Sequence, residues 1–276
     1  MSEPVEAKPI DLGKHNLLGV KISAVNYTAA VEQIAAAAEA DRSLAVSALA
    51  VHGVMEGVAD QEHRYRLNAF DLVVPDGQPV RWALRWLHGV RLPDRVYGPN
   101  LMLKVCAEAA RRGVPLFLFG GKQELLDQLA ENLCRQFPDL QIAGMQASKF
   151  RCLSPAERDE TIAAIRVSGA KITLVGLGCP RQEVWTYEFC RDLSMPVLAV
   201  GAAFNFHAGI LAQAPPLLQK YGLEWLFRLT KEPLRLWRRY LILNPKYLSL
   251  VFLQWTGLRT KDPQDAVKPT QEMLYG

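Results

Sequence analysis

Asp76 is the residue of this chain best placed to do chemistry. It stands in Asp71-Leu72-Val73-Val74-Pro75-Asp76-Gly77-Gln78-Pro79-Val80-Arg81-Trp82, where two β-branched residues run into a turn punctuated by Pro75, Gly77 and Pro79. The stretch reads as a buried strand, a sharp turn and a helix start. Asp76 then falls just past a strand's carboxyl end, where open α/β sheets hold their ligands. A carboxylate there can act as a general base, or it can shape the turn by accepting hydrogen bonds from its own backbone; the local sequence allows both.

Other polar groups sit in similar surroundings. Arg95, in Asp94-Arg95-Val96-Tyr97-Gly98-Pro99, offers a planar fork suited to diphosphate oxygens or to a carboxylate, with a structural salt bridge as the other reading. Gly120 and Gly121 form a tight turn ahead of a helix whose N–H groups can hold phosphate, although glycines there can also serve the turn alone. Gly178 and Gln182 lie in Leu177-Gly178-Cys179-Pro180-Arg181-Gln182-Glu183. The Gln182 amide can exchange hydrogen bonds with sugar hydroxyls or cap a helix. Asn205, in Gly201-Ala202-Ala203-Phe204-Asn205-Phe206-His207-Ala208-Gly209, presents an acceptor and a donor, and His207 is read as structural.

The elements that must position these groups alternate along the chain. Residues 19–25 suggest a strand of a hairpin, Thr28 an N-cap, and the alanine-rich stretch 29–40 a helix. Strand-length apolar runs follow at 44–51, 114–121, 142–145, 171–176 and 197–201, with helical stretches between them. Ser154-Pro155-Ala156-Glu157 has the form of a capping box. On the helix after Asp76, Arg81 and Arg85 share one face as a solvated rim, and Trp82 and Trp86 share the next as packing. The fold class this predicts is α/β: a Rossmann-like, mainly parallel sheet with helices on both faces, whose strand-then-glycine junctions line one edge.

From Gly222 onward nine Lys/Arg face five Asp/Glu, so the net charge of +4 belongs to the last fifth of the chain. Arg228, Lys231, Arg235, Arg238 and Arg239 fall within an arc of about 100° on a helical wheel, beside Trp225, Trp237 and Tyr240. Pro233 divides the stretch into two helices. Such a helix can meet a membrane surface, nucleic acid or plain solvent. The apolar residues that follow, Leu248, Val251, Phe252 and Trp255, favour anionic lipid over nucleic acid.

The expected organisation is a flexible tail over 1–16, a catalytic domain over 17–221, a helical membrane-associating appendage over 222–258 and a flexible tail over 259–276. Five cysteines without a CxxC pair suit reduced thiols in the cytoplasm. The start lacks the form of a signal peptide, and no apolar run is long enough to span a bilayer.

The five motifs, in this order, resemble the WecG/TagA/CpsF family of bacterial glycosyltransferases over roughly residues 17–241. The resemblance implies transfer of a sugar from a nucleotide-sugar, a UDP-sugar by expectation, to a polyprenyl-diphosphate-linked glycan acceptor in cell-envelope polysaccharide synthesis. It implies Asp76 as base in an inverting reaction and Arg95, Gly178, Gln182 and Asn205 at the substrates; Gly120 and Gly121, from their turn, are expected at the substrates too, and the basic tail residues, from their charge, at the diphosphate or the inner membrane surface. No cofactor and no metal are expected, since the chain lacks an Asp-x-Asp pair; nor is nucleic acid, and a homo-oligomer stays open. The chain departs from many relatives in two places, one being Asn205, which stands where an Asp is common in the family motif. In the other, their Thr-x-Asn pattern falls on Ala48-Leu49-Ala50, which leaves Ser47 or His52 to take over any contact there. Two other readings remain: a nicotinamide-dependent oxidoreductase, disfavoured by the lack of GxGxxG with an acid about 20 residues on, and a non-catalytic scaffold of a polysaccharide complex.

Overall fold

The computed structural model describes residues 8–215, 217–218, 221–258 and 261–276. The chain opens with an antiparallel hairpin, β1 (Asp11–Leu17) and β2 (Val20–Val25), turned at Leu18 and Gly19, both at positive φ. Residues 11–16, expected in a loose tail, are thus a strand. Their polar side chains face water while pairing to β2 satisfies their backbone.

Six short strands make the main sheet: β3 (Leu44–Leu49), β4 (Leu72–Pro75), β5 (Leu116–Phe119), β6 (Ile142–Gln146), β7 (Ile172–Val175) and β8 (Pro196–Ala199). All pair in parallel, in the order 4-3-8-7-5-6. Their apolar runs do not alternate because both faces are covered. On one face α1 (Tyr27–Glu39), α5 (Gly98–Arg112), α6 (Gln123–Gln136) and α9 (Ala203–His207) bury Ile34, Leu101, Leu126 and Phe204. On the other, α2 (Val51–Ala59), α3 (Gln61–Ala69), α4 (Gln78–His88), α7 (Pro155–Val167) and α8 (Arg181–Leu193) bury Met55, Leu67, Leu84, Ile165 and Trp185. Trp185 stacks between Phe119 and Phe189, with centroids 4.5 and 4.3 Å away.

Local signals hold with two corrections. The capping box at Ser154 forms as read, but α1 is capped by Asn26, not Thr28. The Asn26 carbonyl accepts from Ala29 and Ile10 N–H groups and its amide donates to Lys8, so one side chain closes both the helix and the chain before it. Trp82 and Trp86 are not packed inside: they remain 37% and 54% exposed, because Val80, Ala83 and Leu84 supply the buried face of α4.

After residue 222 come α10 (Glu224–Lys231), α11 (Pro233–Arg238), a π-helical stretch (Arg239–Leu243) and α12 (Asn244–Trp255). Pro233 begins α11, which is the expected division. α12 is joined to the body: Tyr247 and Val251 enter the core, the Tyr247 hydroxyl donates to Pro79 O at 3.1 Å, and Gln254 bridges Leu18 N–H and Asn16 O. Residues 261–276, expected as a flexible tail, also lie against the body. Val267 N–H reaches Gln61 O, and the Glu188 carboxylate accepts from both Met273 and Leu274.

Candidate active site

Asp76 follows β4, and its backbone N–H bonds Leu49 O at the end of β3. Its carboxyl accepts from the N–H of Gly98, the first residue of α5, at 3.1 Å. A Cβ on Gly98 would sit 3.0 Å from Ala48 Cβ and 3.7 Å from Val200 O, so the ends of β4, β3 and β8 converge there. The residue keeps some surface open to solvent. Burial of the carboxyl raises its pKa from 3.8 to about 6, and the Glu224 charge pushes the same way; Arg95, the Gly98 N–H and Arg228 pull against it. The methyl of Ala48 brings no donor to Asp76. Neither proposed substitute supplies one: Ser47 Oγ is buried and donates to Glu183, and His52 pairs with Glu56 on its own helix.

Arg95 is held beside this carboxyl by a braced loop. Gln78 Nε2 bonds Asp94 Oδ1, Arg81 bonds both Gln78 and Leu92 O, and Asp94 accepts the Arg95 N–H. Arg81 is therefore a strut of the loop as well as part of the rim. The Arg95 guanidinium forms a buried ion pair with Glu224 at 2.6 Å and lies 4.2 Å from the Tyr97 ring centroid. Although desolvation opposes it, Asp76 and Glu224 together hold the Arg95 pKa above its usual value. The Tyr97 hydroxyl donates to the other Glu224 oxygen at 2.9 Å, and the Tyr97 N–H donates to Tyr27 Oη.

The salt-bridge reading of Arg95 therefore holds, with Glu224 as the partner, and the same guanidinium acts electrostatically on the candidate base. Glu224 and Tyr97 were not singled out from sequence. Each lies inside a motif that was, Gly222-Leu223-Glu224-Trp225 and Asp94 to Pro99, but nothing local signals a bond across 127 residues.

The remaining candidates continue along the same edge. Gly201, after β8, approaches the Gln182 amide so closely that a Cβ there would lie 2.8 Å from Oε1. Gln182 is buried and used internally: Oε1 accepts from Gly178 N–H and Nε2 donates to Glu183. It clamps the β7–α8 turn, in which Gly178 takes φ +81°. Burial also pushes the Glu183 carboxyl above its ordinary pKa. Gly120 takes φ +111°, and a Cβ on it would stand 2.9 Å from the backbone of Gly176, so only glycine lets β5 and β7 end this close together. Asn205 is half-buried on α9, and His207 Nε2 contacts Pro99 O at 2.9 Å, in keeping with a structural role.

Between β5 and β7 the chain leaves in opposite directions, to β6 on one side and β8 on the other, which opens a crevice. A cavity of about 140 Å³ lies there, lined among others by Gly121, Ser148, Phe150, Leu177, Arg181 and Tyr275. Of the appendage cations, Arg228 acts on Asp76 electrostatically and lies over Phe206, while Lys231 and Arg238 are exposed over Phe227 and Trp237. The side chains of Arg235 and Arg239 fall outside the described residues.

One base candidate, one buried arginine, a set of glycine turns and a crevice therefore share a single sheet edge. The model of the Glycosyl transferase WecG/TagA/CpsF family matches residues 15–261, nearly the whole chain, and this protein belongs to that family of glycosyltransferases.

Proposed function

We propose that the protein is an inverting glycosyltransferase that moves a sugar from a UDP-sugar to a hydroxyl of a polyprenyl-diphosphate-linked glycan in cell-envelope polysaccharide synthesis. The observation that carries this reading is the placement of Asp76 at the end of β4, its carboxyl accepting from the Gly98 N–H beside the Arg95–Glu224 pair, where burial raises its pKa to about 6. It is ionised at neutral pH yet more basic than an ordinary aspartate, which suits a group that takes a proton from an attacking hydroxyl. The acceptor oxygen attacks the anomeric carbon from the face opposite the leaving diphosphate, its proton passes to Asp76, and the C–O bond to UDP breaks. The nucleotide occupies the crevice between β5 and β7, with Arg181 and the N-termini of α6 and α8 near the phosphates. Arg95 and Arg228 offset the negative charge that leaves.

Membrane contact follows from the acceptor. Among the described residues no helix is long and apolar enough to cross a bilayer. Leu234, Leu241, Phe252 and Trp255 are 92%, 58%, 57% and 61% exposed on α11, α12 and the π-helical stretch between them, with Arg238 and Lys246 nearby in the chain. That mixture of apolar and cationic surface suits the inner, anionic face of a membrane, where the enzyme would sit peripherally. The test is a panel of UDP-sugars with a polyprenyl-diphosphate glycan, assayed with wild type and Asp76→Asn. Turnover of one donor by wild type and its loss in the variant are expected. Equal turnover by both would remove Asp76 as the base.

A further inference from the structure

We propose that the segment Glu272–Gly276 is a strap that occupies the nucleotide crevice and must lift before a nucleoside diphosphate can seat. This rests on the crevice between β5 and β7 being the nucleotide site. The family match ends at residue 261, ahead of this segment.

The path of the segment is laid down by hydrogen bonds. Arg64 donates to Asp265 O and Val267 N–H to Gln61 O as the chain passes α3. The Glu188 carboxylate on α8 then takes the Met273 and Leu274 N–H groups at 2.8 and 2.9 Å. Leu153 N–H donates to Leu274 O at 2.7 Å, Gly276 N–H to Arg151 O at 3.0 Å, and Ser148 Oγ to Gly276 O at 2.5 Å. Cys152 and Tyr275 form an antiparallel bridge.

What the strap touches is what a nucleotide would need. The Tyr275 ring lies 5.6 Å from the Arg181 guanidinium, in the place of a stacked base, and the Ser148 hydroxyl is spent on a backbone carbonyl. Tyr275 and Gly276 are walls of the cavity, and the space they leave is about 140 Å³. Small-molecule sites run from about 300 to 1,000 Å³, so the docked strap leaves too little room.

The strap is also built to release. Beside the partly buried Leu274 it is held by hydrogen bonds, Met273 is 41% exposed, and Leu274 is held at φ +47°, a left-handed conformation that a leucine side chain disfavours. If the strap is docked about nine-tenths of the time, apparent nucleotide affinity is about tenfold below that of the open crevice.

Calorimetric titration of UDP into the full chain, a chain ending at Thr270, and Tyr275→Ala tests this, together with hydrogen exchange of the full chain. Expected are several-fold tighter binding by both variants and faster exchange at Leu153, Met273 and Leu274 when UDP is added to the full chain. Unchanged or weaker binding by the variants, with the strap still protected, overturns the strap while leaving the nucleotide site in place. Binding by none of the three overturns both. If the shortened chain lacks a cooperative thermal transition, Tyr275→Ala decides.

Discussion

Replacing Asp76 by asparagine should abolish transfer and, at the same time, stabilise the protein at neutral pH. A carboxyl whose pKa is higher in the native state than in the unfolded one favours folding fully only below the unfolded value. That contribution is lost as pH rises through the native value. For Asp76 the two values are 3.8 and about 6, a difference of about 2.2, and at 1.36 kcal/mol each this amounts to about 3 kcal/mol. Asparagine keeps an oxygen for the Gly98 N–H and carries no charge to desolvate. Urea melts of both proteins, followed by tryptophan fluorescence at pH 4, 5, 6 and 7.5, read the effect, because titrating groups remote from Asp76 cancel in the difference. The variant should gain up to about 3 kcal/mol at pH 7.5, and the gain should nearly vanish at pH 4. A difference that does not change with pH, or a variant less stable at pH 7.5, would refute the reasoning that burial strains this carboxylate.

The wild-type rate should fall on the acid side with a midpoint near pH 6, leaving about a tenth of the base ionised at pH 5. Glu224→Gln should move that limb to lower pH and Arg95→Gln to higher pH, since their charges act on Asp76 in opposite senses; shifts in one direction for both would contradict the electrostatic picture. Gly120→Ala should cost roughly 1–3 kcal/mol in a denaturant melt, because φ +111° and the Gly176 backbone leave no place for a methyl; an unchanged midpoint would show that the turn can relax. Replacing Phe252 and Trp255 by serine should reduce sedimentation with anionic vesicles while leaving the fold unchanged, and undiminished sedimentation would take α12 off the membrane.

The parts of the fold legible in the sequence are those written in local patterns. Apolar runs bounded by glycine gave the sheet, Ser154 and Glu157 gave a helix start, and Pro233 gave a division. What was not legible depends on partners remote in sequence. Gln182 looks free to meet a sugar until Gly178 and Glu183 are seen to use its amide, and Trp82 looks like core until α4 is seen to bury another face. The residues after 261 are polar enough to read as a tail; only the Glu188 carboxylate, 85 positions away from Met273, explains why they stay. The candidate edge is legible in the strand-then-glycine junctions, whereas Glu224, which ties Arg95 and Tyr97 together, acquires meaning only once the appendage folds back.

That fold-back has a metrical consequence. The eight-residue helix α10 is about 12 Å long at 1.5 Å per residue, with Glu224 at one end bonded to Arg95 and Tyr97 and Lys231 at the other. Were the following helices to rest on lipid as proposed, α10 would be a ruler between the headgroups and the anomeric carbon. Acceptors would then be chosen by how far their hydroxyl stands off the bilayer as well as by which sugar bears it, and lengthening α10 by one turn should shift the preferred acceptor outward.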